Sequence, residues 1–216
     1  SVSEDRLAYI QEDLGNDVLF DMLTHARKTG EGMERVDALL CKTMSMLPKI
    51  QFEGADGLDF SVCYPQPSFD RRMVMFDLNY FKYCFLKATG IDFHELRLEK
   101  DFLCLARDLM NSSASTFLYR DFQARNVMLD AEGNPCFIDF QGGRKGPLEY
   151  DVASFLWQAS AHYSTNLRNE LIEVYLDALS EYIEVDRVLF HKRLRLFVLF
   201  RTLQVLGAYG FRGYFE

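Results

Sequence analysis

Hydrophobic residues recur at steps of three and four along most of the chain, which is the spacing of an amphipathic α-helix. The first such helix is predicted to begin at Asn16 or Asp17 and to run to about Lys28, where glycines follow. A second apolar stripe starts at Met33 and is predicted to end at Pro48, because proline interrupts a helix interior. Further helices are predicted over 74–85, 92–110, from about 150, over 171–182 and over 186–208.

The pattern changes after Ser112, where short β-type runs replace the helical stripes. Runs over 116–119, 126–129 and 135–138 predict strands, and the last two are joined by a glycine-containing turn. Residues 50–68 hold several glycines and prolines and are predicted to form a long loop. The predicted fold class is therefore α+β, mostly helical, with a small β element inserted after the fourth helix.

Three polar residues in this β element point to phosphoryl transfer. Asp121 and Asn126 enclose a short turn between two predicted strands, and Asp139 follows the next strand of the hairpin. Amide and carboxylate oxygens such as those of Asn126 and Asp139 suit Mg²⁺, which completes its octahedron with phosphates and water. Asp121 is then free to accept a proton from a hydroxyl nucleophile, as phosphoryl transfer requires.

Each of these residues also has an ordinary interpretation. Taken alone, Asp121 and Asn126 suit a solvated turn, and Asp139 is a carboxylate at a strand end. The combination at this spacing favours the functional interpretation. Asp151 has two equally supported interpretations, as a cap of the helix that follows or as a support of the catalytic loop.

Three arginines lie near the predicted phosphate site. Arg120, Arg125 and Arg144 suit charge-assisted contacts with a phosphate or a sugar acid. The alternative, ion pairs with acidic residues such as Glu149 or Asp151, is at least as well supported.

The segments around these residues resemble the aminoglycoside phosphotransferase and choline kinase superfamily, whose members are related to protein kinases. That family carries His-Gly-Asp or His-Arg-Asp, an Asn after a short spacer, and later Ile-Asp and Tyr-Asp segments. This chain has Y-R-D at 119–121, I-D-F at 138–140 and Y-D-V-A at 150–153. The stretches 119–128 and 138–156 more closely resemble bacterial anomeric sugar kinases, which phosphorylate N-acetylmuramate or N-acetylglucosamine at C1.

The resemblance implies a protein-kinase-like C-terminal lobe in which a small β-hairpin element carries the catalytic loop. It implies ATP and Mg²⁺ as cofactors, with Asp121 as the catalytic base and Asn126 and Asp139 as metal ligands. Tyr119 stands where the family has histidine. Because that histidine has a structural role, altered packing with retained chemistry is expected here.

The resemblance further implies that residues 1–15 are the hinge segment of a kinase and that residues 16–216 are its C-terminal lobe. The backbone of this hinge would hold the adenine, although the segment alone suits an ordinary strand before a helix cap. The residues expected to bind the nucleotide are Glu12, Asp13 and Leu14.

A kinase also needs a lysine and a cover for the phosphates, which an N-terminal lobe normally supplies. The sequence contains no G-x-G-x-x-G or Walker pattern. A missing N-terminal lobe of the same protein is therefore an expected partner. Without it, the chain is expected to bind nucleotide weakly and to turn over slowly or not at all.

Composition narrows the class of partner and the compartment. The chain has 24 Lys and Arg against 32 Asp and Glu, a net charge of −8, which disfavours sequence-independent binding to nucleic acid. Its 5 cysteines form no C-x-x-C pair and favour free thiols in a reducing compartment. The most apolar segment, 194–206, is interrupted by Arg195 and Arg201, so no membrane partner is expected. A cytoplasmic location is predicted.

Two classes of function remain open. The first is an ATP-dependent kinase acting on a hydroxyl of a small molecule, with an amino sugar favoured over aminoglycoside, choline or homoserine. An acidic substrate wall would suit the cationic acceptors, whereas arginines would suit a sugar acid. The second class is a non-catalytic binding module that kept a kinase-like cleft.

Overall fold

The computed structural model describes residues 2–5 and 7–215. The predicted segments 1–15 and 16–216 also include Ser1, Arg6 and Glu216, which lie outside the described residues. Within this part of the chain, helices predominate and the strands are short. The α-helices are α1 (Leu19–Thr29), α2 (Met33–Glu53), α3 (Arg71–Phe81), α4 (Glu95–Leu109), α5 (Leu148–Leu156), α6 (Thr165–Leu179) and α7 (Arg187–Phe215). The strands are β1 (Thr116–Leu118), β2 (Val127–Leu129), β3 (Pro135–Phe137) and β4 (Arg144–Gly146). The predicted α+β, mostly helical class is confirmed.

Helix α2 is longer than predicted, because Pro48 lies inside it and not at its end. A proline in a helix interior removes a hydrogen bond and costs about 3 kcal/mol. Here Leu47, Pro48 and Gln51 are all buried, and α2 packs along α6. The buried surface of this last stretch outweighs the local cost, so part of the predicted 50–68 loop is helical.

The β element consists of two small antiparallel sheets. Strands β2 and β3 form the predicted hairpin, with Met128 opposite Cys136. Strand β4 was not predicted, because its sequence, Arg-Lys-Gly, has no apolar alternation; it pairs with β1 and sets Phe117 opposite Lys145. A Cβ added to Gly143 would lie 2.3 Å from the Phe117 ring, so only glycine permits this close approach.

Helix α7 forms much of the core behind the β element. Over Arg187–Gly213 it is long and apolar enough to cross a membrane by length and composition, with a mean hydropathy of 1.2. Its Phe197 and Phe200 are fully buried, and it packs against α3, α4 and α5. Of its most apolar window 28% is buried within the chain, so α7 packs on the core along one face.

All 5 cysteines are free thiols, as predicted from their spacing.

Candidate active site

The turn between β1 and β2 holds Asp121 and Asn126 in a fixed relation. Asn126 ends a short 3₁₀ turn, Ala124–Asn126, and its Nδ2 donates to the backbone oxygen of Asp121 at 2.8 Å. Its own backbone oxygen accepts from the N–H of Ile138 at 3.1 Å. The Asn126 side chain therefore closes the turn, and its backbone ties this turn to the neighbouring strand.

Asp139 lies beside Asn126, as the hairpin predicts. The Asn126 Nδ2 is 3.4 Å from the Asp139 Oδ2. Asp139 has a left-handed backbone with φ of 69°, which costs a non-glycine residue about 1–3 kcal/mol. Strain of this kind at an exposed polar residue suits a ligand site, where the direction of the carboxylate matters more than local stability.

The pair suits a Mg²⁺ ion that obtains its other ligands from elsewhere. Asn126 and Asp139 provide one amide and one carboxylate, the oxygen donors that Mg²⁺ prefers. No cluster of three or more His, Cys, Asp or Glu side chains that would hold a metal unaided occurs in residues 2–5 and 7–215. Phosphate oxygens and waters would complete the octahedron.

Asp121 presents a half-buried carboxylate that is free to meet a ligand. Among the described residues, no donor forms a hydrogen bond with its side-chain oxygens. A Cβ added to Gly142 would lie 3.5 Å from the Asp121 Oδ2, so the loop after Asp139 passes close to this carboxylate. An unpaired carboxylate in this position is able to accept the proton of a bound hydroxyl.

Asp151 holds the backbone that precedes Asp121 and does not cap α5, whose N-cap position is Pro147. Its Oδ2 accepts from the backbone N–H of Tyr119, and its Oδ1 from that of Arg120, both at 2.9 Å. The side chain is fully buried, and burial raises its pKa to about 7 although these hydrogen bonds act in the opposite direction. Of the two predicted roles, the geometry matches loop support.

A buried network behind Asp151 was missed by the sequence analysis. Gln51 donates to the Asp151 Oδ2 at 3.4 Å and to the backbone oxygen of Leu148 at 3.2 Å. The hydroxyl of Tyr175 on α6 donates to the Gln51 Oε1 at 2.8 Å. Gln51 follows Leu47 by four residues on the buried stripe of α2, and a polar residue on such a stripe is the available sequence signal.

Tyr119, which replaces the family histidine, is a buried structural residue. Its hydroxyl donates to the backbone oxygen of Ile138, the residue before Asp139. Burial first, and then the nearby Asp139, raises the pKa of the phenol, so it stays a neutral donor. The tyrosine thereby links the catalytic loop to the segment that carries Asp139.

The arginines occupy three different settings, and none lies within 4 Å of a carboxylate among the described residues. Arg144 is buried and donates through Nε and Nη2 to the backbone oxygen of Gly142 at 3.1 and 3.0 Å. The predicted alternative of ion pairs with Glu149 or Asp151 is therefore wrong for these side chains. Arg125 is exposed, with its guanidinium 5.9 Å from the Phe20 ring centroid.

Arg120 has a left-handed backbone, with φ of 77°, directly before Asp121. Its side chain lines a cavity of about 450 Å³ together with Arg144 and Asp77 of α3. Burial raises the pKa of the Asp77 carboxyl, and the nearby Arg120 partly opposes this shift.

A cavity of about 720 Å³ joins the predicted hinge to the predicted metal ligands; we call it the nucleotide-side cavity. Directly after the predicted hinge, the chain pairs with the hairpin through a bridge between Val18 and Met128 and a 2.9 Å hydrogen bond from the Leu129 N–H to the Asp17 oxygen. The residues that line this cavity include Glu12, Asp13, Leu14, Asn126 and Asp139.

The fold and the order of these segments resemble those of protein-kinase-like phosphotransferases. The model of the phosphotransferase enzyme family (APH) matches residues 83–189. A choline kinase from Cryptosporidium parvum Iowa II has a similar fold, with a TM-score of 0.60 and 12% identity over 94% of this chain and 68% of that one. A Plasmodium vivax ethanolamine kinase gives a TM-score of 0.59 at 14% identity, over 97% of this chain and 62% of that one.

Among curated proteins, an N-acetylmuramate/N-acetylglucosamine kinase from Neisseria meningitidis serogroup B is 25% identical over 169 residues. The match covers 77% of this chain and 47% of that kinase, so the chain spans about half the length of its curated relative. The family model, the curated relative and these structures all fit the protein-kinase-like superfamily that the motifs predicted.

Proposed function

We propose that this chain is the C-terminal lobe of an ATP- and Mg²⁺-dependent kinase that transfers the γ-phosphate to a hydroxyl group of an amino sugar. The observation that supports this most strongly is the 3.4 Å approach of Asn126 to Asp139, with the unpaired carboxylate of Asp121 on the same turn. Metal ligands and a proton acceptor are the parts that phosphoryl transfer requires.

In this proposal, Asn126 and Asp139 hold Mg²⁺, which neutralises charge on the phosphates when it is bound. Asp121 orients the acceptor hydroxyl and takes its proton. Asp151 fixes the backbone of the loop before Asp121. Supporting contacts come from Arg144, which donates to the backbone oxygen of Gly142 and so anchors the loop near the Asp121 carboxylate.

The nucleotide-side cavity supports an adenine site at residues 12–14, since this segment lines the same space as the metal ligands. We further propose residues 1–15 as the hinge, residues 16–216 as the C-terminal lobe, and an N-terminal lobe of the same protein as the partner that covers the phosphates. The kinase is proposed to act in the cytoplasm, without a nucleic-acid or membrane partner.

The amino sugar is supported by the name of the Neisseria meningitidis relative and by the anomeric-kinase motifs. Aminoglycoside and choline-type acceptors are the alternatives within the enzyme class. A non-catalytic module is the alternative outside it, and an inactive protein that still binds nucleotide would support that alternative.

The test is nucleotide binding and transfer in the full-length gene product. Asp139→Ala should abolish the Mg²⁺-dependent part of ATP binding, measured by calorimetry with and without Mg²⁺. Glu132→Ala, at an exposed position of the same hairpin, is the matched control and should leave the titration unchanged. Binding by the Asp139→Ala variant that still depends on Mg²⁺ would contradict metal ligation.

A further inference from the structure

A second cavity lies beside the catalytic turn, with Asp121 in its wall. It has a volume of about 280 Å³ and is bounded by the catalytic loop, the end of α5 and the C-terminal half of α7. We call it the acceptor cavity. The Asn126 Nδ2 donates a hydrogen bond to the Asp121 backbone oxygen at 2.8 Å. One short turn therefore separates this cavity from the proposed metal ligands. An acceptor placed here would have its hydroxyl at Asp121 and the nucleotide nearby.

The wall of the acceptor cavity is positively charged, although the chain as a whole carries −8. Arg125, Arg201 and Arg212 all line it, and Asp121 is the one carboxylate among its described lining residues. A cationic acceptor would be repelled by this wall, whereas an anionic group would be attracted. The excess of arginine over carboxylate is local and cannot be read from composition.

The three arginines differ in how firmly they are held. Arg201 donates to the Tyr150 hydroxyl at 3.0 Å, the Ser154 hydroxyl at 3.1 Å and the Gln204 Oε1 at 2.9 Å, so it is a fixed charge. Arg125 donates to the Ser160 hydroxyl at 3.4 Å and lies over the Phe20 ring, and Arg212 is exposed. Among the described residues, neither of the latter two has a carboxylate partner, so both keep guanidinium donors that match a carboxylate.

The size and the uncharged lining of the cavity fit one sugar ring. Its volume is just below the usual range of small-molecule sites, about 300–1,000 Å³, and is small for an aminoglycoside of several rings. Gln123, Gln158 and Ser154 add amide and hydroxyl groups to the wall. Groups of this kind bind sugar hydroxyls through hydrogen bonds.

We propose that Arg125 and Arg212 are specificity-determining residues that bind a carboxylate on the acceptor, so that the acceptor is a monosaccharide acid. The proposal rests on the proposed kinase function. In the transfer step, the acceptor oxygen forms a bond to the γ-phosphorus and the bond from that phosphorus to the bridging oxygen breaks. The hydroxyl proton passes to Asp121, and ADP leaves with the electron pair of the broken bond.

The test compares three sugars that differ in charge, by calorimetric titration of the protein. N-acetylmuramate carries a carboxylate, N-acetylglucosamine is its neutral counterpart and glucosamine is cationic. The acid should bind about 10- to 100-fold more tightly than the neutral sugar, because its carboxylate accepts hydrogen bonds from charged guanidinium groups. Glucosamine should bind most weakly, and only the affinity of the acid should fall with added salt.

The variants Arg125→Met and Arg212→Met should each lower the affinity for N-acetylmuramate and leave the affinity for N-acetylglucosamine unchanged. Arg195→Met, at an exposed position of α7 outside the cavity, is the matched control and should change neither. Equal binding of acid and neutral sugar, no binding of either, or an unaltered preference in the double variant would overturn the proposal.

These outcomes are separable from failure of the kinase function. Tighter binding of the acid without phosphate transfer from ATP would reject the kinase function and keep the carboxylate-binding role of Arg125 and Arg212. Phosphate transfer to N-acetylglucosamine without any preference for the acid would keep the kinase and reject the carboxylate-binding role of Arg125 and Arg212.

Discussion

The nucleotide-side cavity and the acceptor cavity flank the same turn of the chain, yet their walls carry opposite charge. The first contains the carboxylates of Glu12, Asp13 and Asp139 and no cation among its described lining residues. The second contains three arginines and the single carboxylate of Asp121. Both would face anions if the proposed reaction is correct, so the difference needs a physical explanation.

The explanation lies in how each anion would be neutralised. A carboxylate-lined wall repels a triphosphate unless a divalent cation stands between them, and this is the arrangement that Mg²⁺ supplies. An arginine-lined wall binds an anion directly, without a metal. The sign of the charge on a cavity wall therefore does not by itself identify the ligand. The wall must be considered together with the metal that it is able to hold.

The largest expected effect comes from Asp121, the residue that lines the acceptor cavity and begins the turn. Asp121→Asn should lower kcat in the full-length gene product by about 10²–10⁴-fold, because the amide cannot take the hydroxyl proton. Binding of Mg²⁺ with ATP and of the acceptor should change little, and separate titrations would check this. Asp101→Asn, at an exposed position of α4, serves as the control. An unaltered kcat would remove Asp121 from the role of base.

The next effect concerns Asp151, on which the geometry of both cavities depends. Asp151→Asn replaces one acceptor oxygen by an N–H donor and leaves one of the two buried backbone N–H groups, of Tyr119 or Arg120, without a partner. We expect a loss of about 1–3 kcal/mol in the free energy of unfolding at pH 5, measured with denaturant. Kinase activity should fall together with stability, since the loop is no longer held.

The pH dependence of that loss has a defined sign. The pKa of Asp151 is about 7 in the folded protein and close to 3.9 when unfolded, so the folded state binds the extra proton between these values. This contribution is complete below pH 4 and is lost as pH rises through 7. The difference in stability between wild type and Asp151→Asn should therefore shrink from pH 5 to pH 8. Parallel pH profiles would contradict the raised pKa.

The smallest effect is expected at Tyr119, whose hydroxyl donates to the backbone oxygen of Ile138, a residue in the wall of the nucleotide-side cavity. Tyr119→Phe removes the hydroxyl that donates to the oxygen of Ile138 and keeps the buried ring. We expect a loss of about 0.5–1.5 kcal/mol in stability and a weaker apparent affinity for Mg²⁺ with ATP. Binding of the acceptor should be unchanged, and an equal loss at both sites would show that the tyrosine supports the whole loop.

The local part of the candidate site could be predicted from the sequence. Asp121, Asn126 and Asp139 lie on one hairpin and its preceding turn, so covalent connection alone brings them near one another. Their chemical roles stay predictions. The mostly helical fold was also predictable, because its amphipathic stripes repeat over whole helices. The prediction that α2 ends at Pro48 is wrong, because the local preference against proline in a helix is outweighed there by tertiary packing.

The contacts of the candidate site that join residues far apart in sequence could not be predicted. Gln51 meets Asp151 across 100 positions, and Arg201 lies further along the chain still. Strand β4 has no pattern of its own and exists because β1 offers it hydrogen-bonding partners.

The sequence by itself determined the helices, the hairpin and the order of the polar residues that the hairpin brings together, because these depend on neighbours along the chain. The tertiary structure decided which walls face Asp121, and hence the charge of the acceptor cavity. The physical reason is that α7 packs against α5 through buried aromatic rings, and this packing alone carries Arg201 and Arg212 to a loop far away in sequence.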